Sequence, residues 1–229
     1  MLRFALSLAF LILPLSACGQ AGPPAQAEAG ETYELAPKPG VWLPEKGKIE
    51  VVEYFSYTCG HCAQFQPMID AWKKNLPKDV VFRYLPNAYD VEFPYSRAFF
   101  AAESAGALPK VHTDLFVAIH EDGRVPRNNA TIDELAAYFA QRGLDREKMS
   151  VAMRSTAVTE QMKRAKQFVI DKRLGGTPLL VVAGKYVIQG DSYREYLENL
   201  DKVIAMERAN RAPARKAASP KPAAKTTTP

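Results

Sequence analysis

The feature that most constrains this chain is the tetrapeptide Cys59-Gly60-His61-Cys62. It lies where an apolar run with strand character, residues 49–55, gives way to a helical pattern. Two residues between the cysteines let both sulfurs meet across one turn, so they can form a disulfide and reopen it by exchange with another protein. The tetrapeptide therefore predicts a redox site.

The N-terminal segment has the pattern of an export signal. Arg3 precedes an apolar run of roughly a dozen residues, which is too short to span a bilayer. The stretch from Leu15 to Cys18 resembles the lipobox of bacterial lipoproteins, in which the signal is removed just before an acylated cysteine. We therefore expect a signal peptide over residues 1–17 and a lipid anchor on Cys18. Cleavage after Ala27, which would discard Cys18, remains an alternative.

The two ends of the mature chain have compositions that do not favour a packed core. Residues 18–32 are rich in Ala, Gly, Pro and Gln and predict a flexible tether, and residues 209–229 predict a disordered basic tail. The formal net charge of +5 is accounted for by this tail, since the last nineteen residues hold five basic side chains and no acid. The body of the chain therefore gives no reason to expect a nucleic-acid partner.

Around the cysteines, the pattern predicts a strand, a helix and a second strand. Residues 48–55 carry apolar side chains on both faces, as in a strand covered on both sides, and residues 80–85 repeat this pattern. Residues 33–43 are short and broken by proline and predict at most an edge strand. Between the two main strands runs one apolar helical stripe, formed by Phe65, Met68, Ile69, Trp72 and Leu76.

The middle of the chain has a different pattern of apolar residues. Residues 93–157 show successive helical patterns and no clear strand, which predicts an inserted helical subdomain. Within it, Thr131 and Glu134 predict a capping box at the start of one helix. After the insertion, Thr177-Pro178 precedes a predicted hairpin over residues 179–189 and a final helix.

On these features the sequence resembles the DsbA family of periplasmic thiol:disulfide oxidoreductases. The resemblance extends from about residue 33 to residue 206. It includes Glu53-Tyr54-Phe55-Ser56 ahead of Cys59, the histidine His61 inside the motif, the helical insertion, and Thr177-Pro178 in the place of the family's cis-proline loop.

The resemblance implies an α/β fold, namely a thioredoxin fold with an inserted helical subdomain. Its two parts would be residues 33–92 and 158–208. Two positions depart from the family pattern. Gly60 stands where the family most often has proline, and Thr177 stands where valine is common. These departures leave the reaction class unchanged and leave open the direction, oxidation or isomerisation.

For the cysteine pair, Cys59 would be the exposed sulfur that exchanges with substrates and Cys62 the buried resolving thiol. At a helix N-terminus, free N–H groups and the helix dipole favour the thiolate of Cys59. The ring of His61 would add to this stabilisation by a hydrogen bond or by positive charge.

The resemblance also implies roles for three further residues. Pro178 would be cis and face the disulfide, and the backbone of Thr177 would pair with an extended substrate segment. Glu53 would be a buried acid that exchanges a proton with Cys62. For Glu53, a solvated carboxylate on an edge strand remains an alternative.

The substrates implied are reduced, unfolded exported proteins, and the site would be reoxidised by a quinone-linked membrane protein of the DsbB type. We expect no cofactor, no metal and a monomer. The location would be the periplasm, with Cys18 anchored in the outer membrane because Gly19 rather than aspartate follows it; a soluble periplasmic protein is the alternative.

The sequence is also compatible with other functions. They are a disulfide isomerase or reductase, and a redox-independent chaperone or adaptor that uses the same groove. A zinc site is disfavoured, because His112 and His120 show no ligand spacing that pairs with the cysteines, and both are expected to be surface or packing residues.

Overall fold

The computed structural model describes residues 28–217, with side chains to residue 212. The predicted signal peptide, Cys18 and most of the predicted tether lie outside the described residues, as do residues 218–229. Of the predicted tether, residues 28–32 are described, and Thr32 is buried, with its carbonyl oxygen accepting from the N–H of Gln189.

The described residues form one mixed sheet and seven helices, which confirms the α/β thioredoxin fold class. The strands are β1 (Tyr33–Leu35), β2 (Ile49–Phe55), β3 (Val80–Pro86), β4 (Leu179–Val182) and β5 (Tyr186–Ile188), and the helices are α1 (Gly60–Lys73), α2 (Pro94–Ser104), α3 (Leu108–His120), α4 (Ile132–Ala140), α5 (Arg146–Met153), α6 (Thr156–Lys172) and α7 (Tyr193–Ala217).

Strand β2 occupies the middle of the sheet, whose order is β1-β5-β4-β2-β3. It pairs parallel with β3 and antiparallel with β4, and all seven of its residues are buried. This is the strand covered on both faces that its apolar pattern predicts. Because only three residues separate the end of β2 from Cys59, the cysteines are positioned by a strand that is paired on both sides and fully buried.

Each face of the sheet has its own core. On one face α1 and α7 pack against the strands, with Phe65 and Ile69 of α1 fully buried beside Leu200 of α7. On the other face the helices between β3 and β4 enclose an aromatic core around Phe55. The predicted apolar stripe is confirmed, since Met68 and Trp72 of α1, and Leu76 just beyond the end of the helix, pack against the core that α1 shares with α7.

The helices between β3 and β4 run from Pro94 to Lys172. Helix α4 begins with the predicted capping box, in which the Thr131 hydroxyl accepts from the Glu134 N–H and the Glu134 carboxylate accepts from the Thr131 N–H. The boundaries 93–157 given to the insertion stay a prediction.

Helix α7 is longer than the sequence pattern indicates. It continues to Ala217, so residues 209–217 are helical where a disordered tail is predicted. The reason is both local and tertiary. Alanine, arginine and lysine favour a helix, and Arg211 anchors it by donating to the Glu207 carboxylate and to the Lys48 carbonyl. From residue 28 to residue 217, no helix has the length and apolar content needed to cross a membrane.

Candidate active site

The two cysteines occupy the start of α1. Cys59 is the N-cap residue, with extended backbone (φ −84°, ψ 119°), and Cys62 lies one turn into the helix. Both are free thiols; Cys59 is partly exposed and Cys62 is fully buried. The exposed and buried positions predicted for the two sulfurs are therefore the ones observed.

The surroundings shift the pKa values of the two thiols in opposite directions. A hydrogen bond from the Cys62 side chain, helped by the Thr177 side chain and by the N–H groups of Cys62 and His61, outweighs partial burial and lowers the pKa of Cys59 from 9.0 to about 5. Burial raises the pKa of Cys62 far above its ordinary value. At neutral pH the site therefore holds one thiolate and one thiol, which is the asymmetry that disulfide exchange needs.

The ring of His61 is bonded to a residue that the sequence did not single out. Its Nδ1 lies 3.1 Å from the hydroxyl oxygen of Tyr193, the first residue of α7. The same hydroxyl lies 3.2 Å from the His61 carbonyl oxygen and 3.4 Å from Oε1 of Gln64. Among residues 28–217 the ring has no hydrogen bond to Cys59. The contribution of His61 to the thiolate comes from its backbone N–H, and the role predicted for its ring stays a prediction.

The loop before β4 faces the reactive sulfur. The Thr177-Pro178 peptide bond is cis, as predicted. The thiol of Cys59 donates to the Thr177 carbonyl, with 3.3 Å between sulfur and oxygen; as a thiolate the same sulfur can only accept. Beside this contact lies an open groove of about 620 Å³, whose walls include His61, Thr177, Pro178, Leu179, Ile188 and Tyr193.

Glu53 lies beneath this region on β2. It faces Tyr84 of β3 and Leu180 of β4, and its side chain is 0% exposed. Within the described part of the chain neither carboxylate oxygen has a hydrogen-bond partner. Burial raises its pKa to about 8, against an opposing effect from the charge of Lys73. The alternative of a solvated edge-strand carboxylate is wrong, because β2 is the central strand.

Tyr196 of α7 lies near both Glu53 and Cys62. Burial raises the pKa of Tyr196, and the charges that Glu53 and Cys62 carry when ionised raise it further. The buried acid and the buried thiol therefore share one low-dielectric region, where a neutral carboxyl can hold a proton at neutral pH.

His112 and His120 are both directed at Tyr57. Nδ1 of His112 lies 2.7 Å from the Tyr57 hydroxyl, and burial lowers the pKa of His112 to about 3, so it is a neutral packing residue. Nε2 of His120 lies 2.8 Å from the Tyr57 carbonyl oxygen. The prediction that these are packing residues is confirmed for His112.

Several residues near the site were missed by sequence analysis. Tyr193 opens α7, and Arg127 belongs to the loop before α4; neither lies near the cysteines in sequence. A polar cluster joins Lys73 to Asp70 (2.8 Å) and to the Tyr84 hydroxyl (2.5 Å) next to the strand that carries Glu53. No local pattern marks these side chains, because only the packing of distant elements brings them to the site.

Comparisons with known proteins agree with this geometry. The family model described as DSBA-like thioredoxin domain matches residues 50–201. The thiol:disulfide interchange protein DsbA of Azotobacter vinelandii is 41% identical over 164 residues, which cover 71% of this chain and 75% of that protein. The DsbA of Pseudomonas aeruginosa PAO1 is 36% identical over 195 residues, covering 82% and 90%.

Solved structures give the same result. The crystal structure of the oxidoreductase DsbA from Xylella fastidiosa superposes with a TM-score of 0.77 at 37% identity, covering 80% of this chain and 98% of that one. A crystal structure of Pseudomonas aeruginosa DsbA gives a TM-score of 0.73 at 35% identity, covering 81% and 96%. Fold, cysteine chemistry and similarity together show that the chain belongs to the DsbA-like thioredoxin family of thiol:disulfide oxidoreductases.

Proposed function

We propose that this thiol:disulfide oxidoreductase works as an oxidase that donates the Cys59–Cys62 disulfide to reduced proteins after their export. The observation that carries the proposal is the position of Cys59 at the N-terminus of α1, where the Cys62 side chain and the N–H groups of Cys62 and His61 lower its pKa to about 5. A stabilised thiolate favours the reduced form of the pair. The disulfide is then correspondingly ready to pass to a substrate.

The reaction consists of two exchanges. A substrate thiolate attacks the sulfur of Cys59, the Cys59–Cys62 bond breaks, and Cys62 leaves as a thiolate. A second substrate thiolate then attacks the substrate sulfur of the mixed disulfide, and Cys59 leaves as a thiolate. The substrate loses two electrons and gains a disulfide, and the cysteine pair gains the same two electrons.

Glu53 fits the proton transfer in the first exchange. Its carboxyl, with a pKa of about 8, holds a proton at neutral pH and can give it to the departing Cys62 sulfur, whose pKa is raised by burial. The carboxyl then regains a proton from solvent. Thr177 and Pro178 would hold the substrate, whose extended segment would pair with the Thr177 backbone and lie along the adjoining groove.

The direction of exchange is tested by the reduction potential. Purified protein is equilibrated with glutathione buffers, and its free thiols are alkylated and counted by mass spectrometry. An oxidase should have a potential well above the roughly −270 mV of thioredoxin and closer to the roughly −120 mV of DsbA. A value near that of thioredoxin would overturn the oxidase proposal in favour of a reductase.

The activity is tested with reduced, unfolded ribonuclease. The oxidised parent should restore ribonuclease activity, and Cys59→Ser should not. A Cys62→Ser variant presented with a disulfide-bonded substrate should accumulate a mixed disulfide through Cys59. A redox-independent chaperone would be the better description under two conditions: neither the parent nor a Cys59→Ser, Cys62→Ser variant oxidises ribonuclease, and both suppress aggregation to the same extent.

Isomerisation is the second candidate, and one observation favours it. The His61 ring is hydrogen-bonded to Tyr193, and in this arrangement the Cys59 sulfur accepts no hydrogen bond from the ring. Reactivation of ribonuclease with scrambled disulfides separates the two functions. An isomerase would reactivate it faster than it oxidises the fully reduced enzyme.

We further propose that the protein works in the periplasm, as a monomer held to the outer membrane by lipid on Cys18 and reoxidised by a DsbB-type quinone-linked membrane protein. The lipobox-like residues before Cys18 support the anchor. Cys18→Ala should move the protein from the membrane fraction to the soluble fraction and remove the lipid mass. Identical fractionation of parent and variant would favour the soluble alternative.

A further inference from the structure

The loop between α3 and α4 carries an arginine that contacts the redox motif on both sides of Cys59. Nε of Arg127 lies 3.2 Å from the Thr58 carbonyl oxygen and donates to it. On the other side of Cys59, a Cβ placed on Gly60 would lie 3.1 Å from Nη2 of Arg127. This separation is tighter than an ordinary contact, so the guanidinium lies directly against the glycine.

The loop that carries Arg127 is anchored on either side of it. The hydroxyl of Tyr95, a residue only 1% exposed, donates to the Pro126 carbonyl and accepts from the Ala130 N–H at 3.0 Å. Val125 and Ala130 are themselves buried. Arg127 is thus the exposed part of a segment whose two ends are fixed in the core.

A second residue from the same region contacts the preceding peptide group. A carbonyl oxygen can only accept, so Nε2 of His120 donates to the Tyr57 carbonyl at 2.8 Å. Two consecutive carbonyls, those of Tyr57 and Thr58, therefore accept hydrogen bonds from side chains of this region. They lie on the short segment that leads from β2 to Cys59.

We propose that Arg127 is a positioning residue for the redox motif: it holds the Thr58-Cys59-Gly60 backbone in place, and Gly60 is the residue that leaves room for its guanidinium. This inference rests on the proposed use of Cys59 as the exchanging sulfur. It gives a physical role to Gly60, which stands where the family most often has proline.

Two effects follow from this contact. Within the described residues Arg127 forms no ion pair, so we expect its charge near the motif to favour the Cys59 thiolate, weakly and with screening by salt because the side chain is exposed. The planar guanidinium also makes two contacts at once, which a lysine ammonium does not reproduce. Positioning and charge are therefore separable by substitution.

The test is a double-mutant cycle on the full chain, with the equilibrium constant against glutathione and the thiolate absorbance of Cys59 at 240 nm as readouts. Arg127→Ala should raise the Cys59 pKa by about 0.3–1 unit and lower the equilibrium constant for oxidation of glutathione by about two- to tenfold. Arg127→Lys should recover less than half of this change. In 0.5 M salt the difference between the lysine and alanine variants should disappear, and the difference between the parent and the lysine variant should remain.

The contact with Gly60 predicts that the two substitutions are not additive. In the Gly60→Ala background the added Cβ would lie 3.1 Å from Nη2 of Arg127 and push the guanidinium away from its present contact, so Arg127→Ala should have a smaller effect there than in the parent. Arg124→Ala is the matched control, since this arginine of the same loop pairs with Asp122 and does not contact the motif. It should leave both readouts unchanged.

Three results would overturn the proposal: full recovery with Arg127→Lys, which would indicate charge alone; additive effects of the two substitutions; or equal effects of Arg127→Ala and Arg124→Ala. Urea unfolding checks that each variant is folded, and Arg127→Gln serves in place of the alanine variant if that one is not. The parent's potential, measured alongside, tests the oxidase direction separately, because the coupling between positions 60 and 127 does not depend on that direction.

Discussion

Replacing Glu53 by glutamine should change how the stability of the protein depends on pH. The folded carboxyl has a pKa of about 8, against an ordinary value of 4.5. Between these values the folded state keeps a proton that the unfolded state releases, so the free energy of unfolding falls as pH rises, by up to about 1.4 kcal/mol per pH unit. The loss should reach about 3 kcal/mol at pH 7 and about 5 kcal/mol above pH 8.

The variant should lack this loss. A glutamine amide in the same buried position also lacks partners, which lowers stability by about 1–3 kcal/mol, but this amount does not change with pH. The stability of Glu53→Gln relative to the parent should therefore rise by about 1 kcal/mol per pH unit between pH 5 and pH 8. The pH slope, not the difference at one pH, is the diagnostic quantity.

Urea unfolding of the parent and of Glu53→Gln at pH 5, 6, 7 and 8 measures this pH slope. Both proteins carry Cys59→Ser and Cys62→Ser, so that thiol ionisation and the disulfide do not contribute. Glu34→Gln is the matched control, because Glu34 is exposed on β1 and the slope should be that of the parent. A difference between Glu53→Gln and parent that stays constant with pH would refute the reasoning. It would mean that Lys73 or its neighbours compensate the buried charge fully.

Three further predictions use other parts of the structure. Reduced protein should gain stability over the oxidised form as pH rises from about 5, the pKa of folded Cys59, towards about 8.5, the ordinary pKa of a thiol. The shift corresponds to about 2.7 kcal/mol at pH 7, which solvent screening of the partly exposed sulfur reduces to about 1–2 kcal/mol. Urea unfolding of both forms measures this difference in stability, and a difference that did not change with pH would contradict a favoured thiolate. Tyr193→Phe should free the His61 ring to reach the thiolate and raise the equilibrium constant for oxidation of glutathione by about two- to fivefold; an equal effect in a His61→Ala background would contradict this. Gly184→Ala should destabilise the fold by about 2–4 kcal/mol in urea unfolding, because Gly184 has φ 61° and its added Cβ would lie 2.0 Å from a facing carbonyl oxygen, whereas Gly47→Ala, at φ 79° in open space, should lower stability by about 1 kcal/mol.

The parts of the fold that could be predicted from sequence are those with local causes. The central strand, the apolar stripe of α1 and the capping box at Thr131 follow from spacing within a few residues, and the structure confirms each of them. The cis peptide bond at Pro178 followed from resemblance rather than from local pattern. The predicted length of α7 was wrong because its C-terminal end has no decisive local pattern. Its Ala- and Arg-rich end is compatible with helix or disorder, and the contacts of Arg211 with the Glu207 carboxylate and the Lys48 carbonyl favour the helix.

The environment of the site could not be predicted in this way. Glu53 is buried because β4, more than a hundred residues further along the chain, closes one side of β2. Tyr193 reaches His61, and Arg127 reaches Thr58, through the packing of α7 and of the α3–α4 loop against the motif. A sequence shows that such residues exist, but their distance from the cysteines depends on every element between them.

The direction of disulfide exchange therefore depends on more than the tetrapeptide. Each of its two middle residues is contacted by a different distant element, Gly60 by Arg127 and His61 by Tyr193. Replacing Gly60 by proline, the usual residue of the family, would alter the motif and displace the guanidinium at the same time. The change in potential would then combine two effects that the substitution alone cannot separate. Only the same replacement made with and without Arg127 would show how much of the oxidising strength belongs to the motif itself.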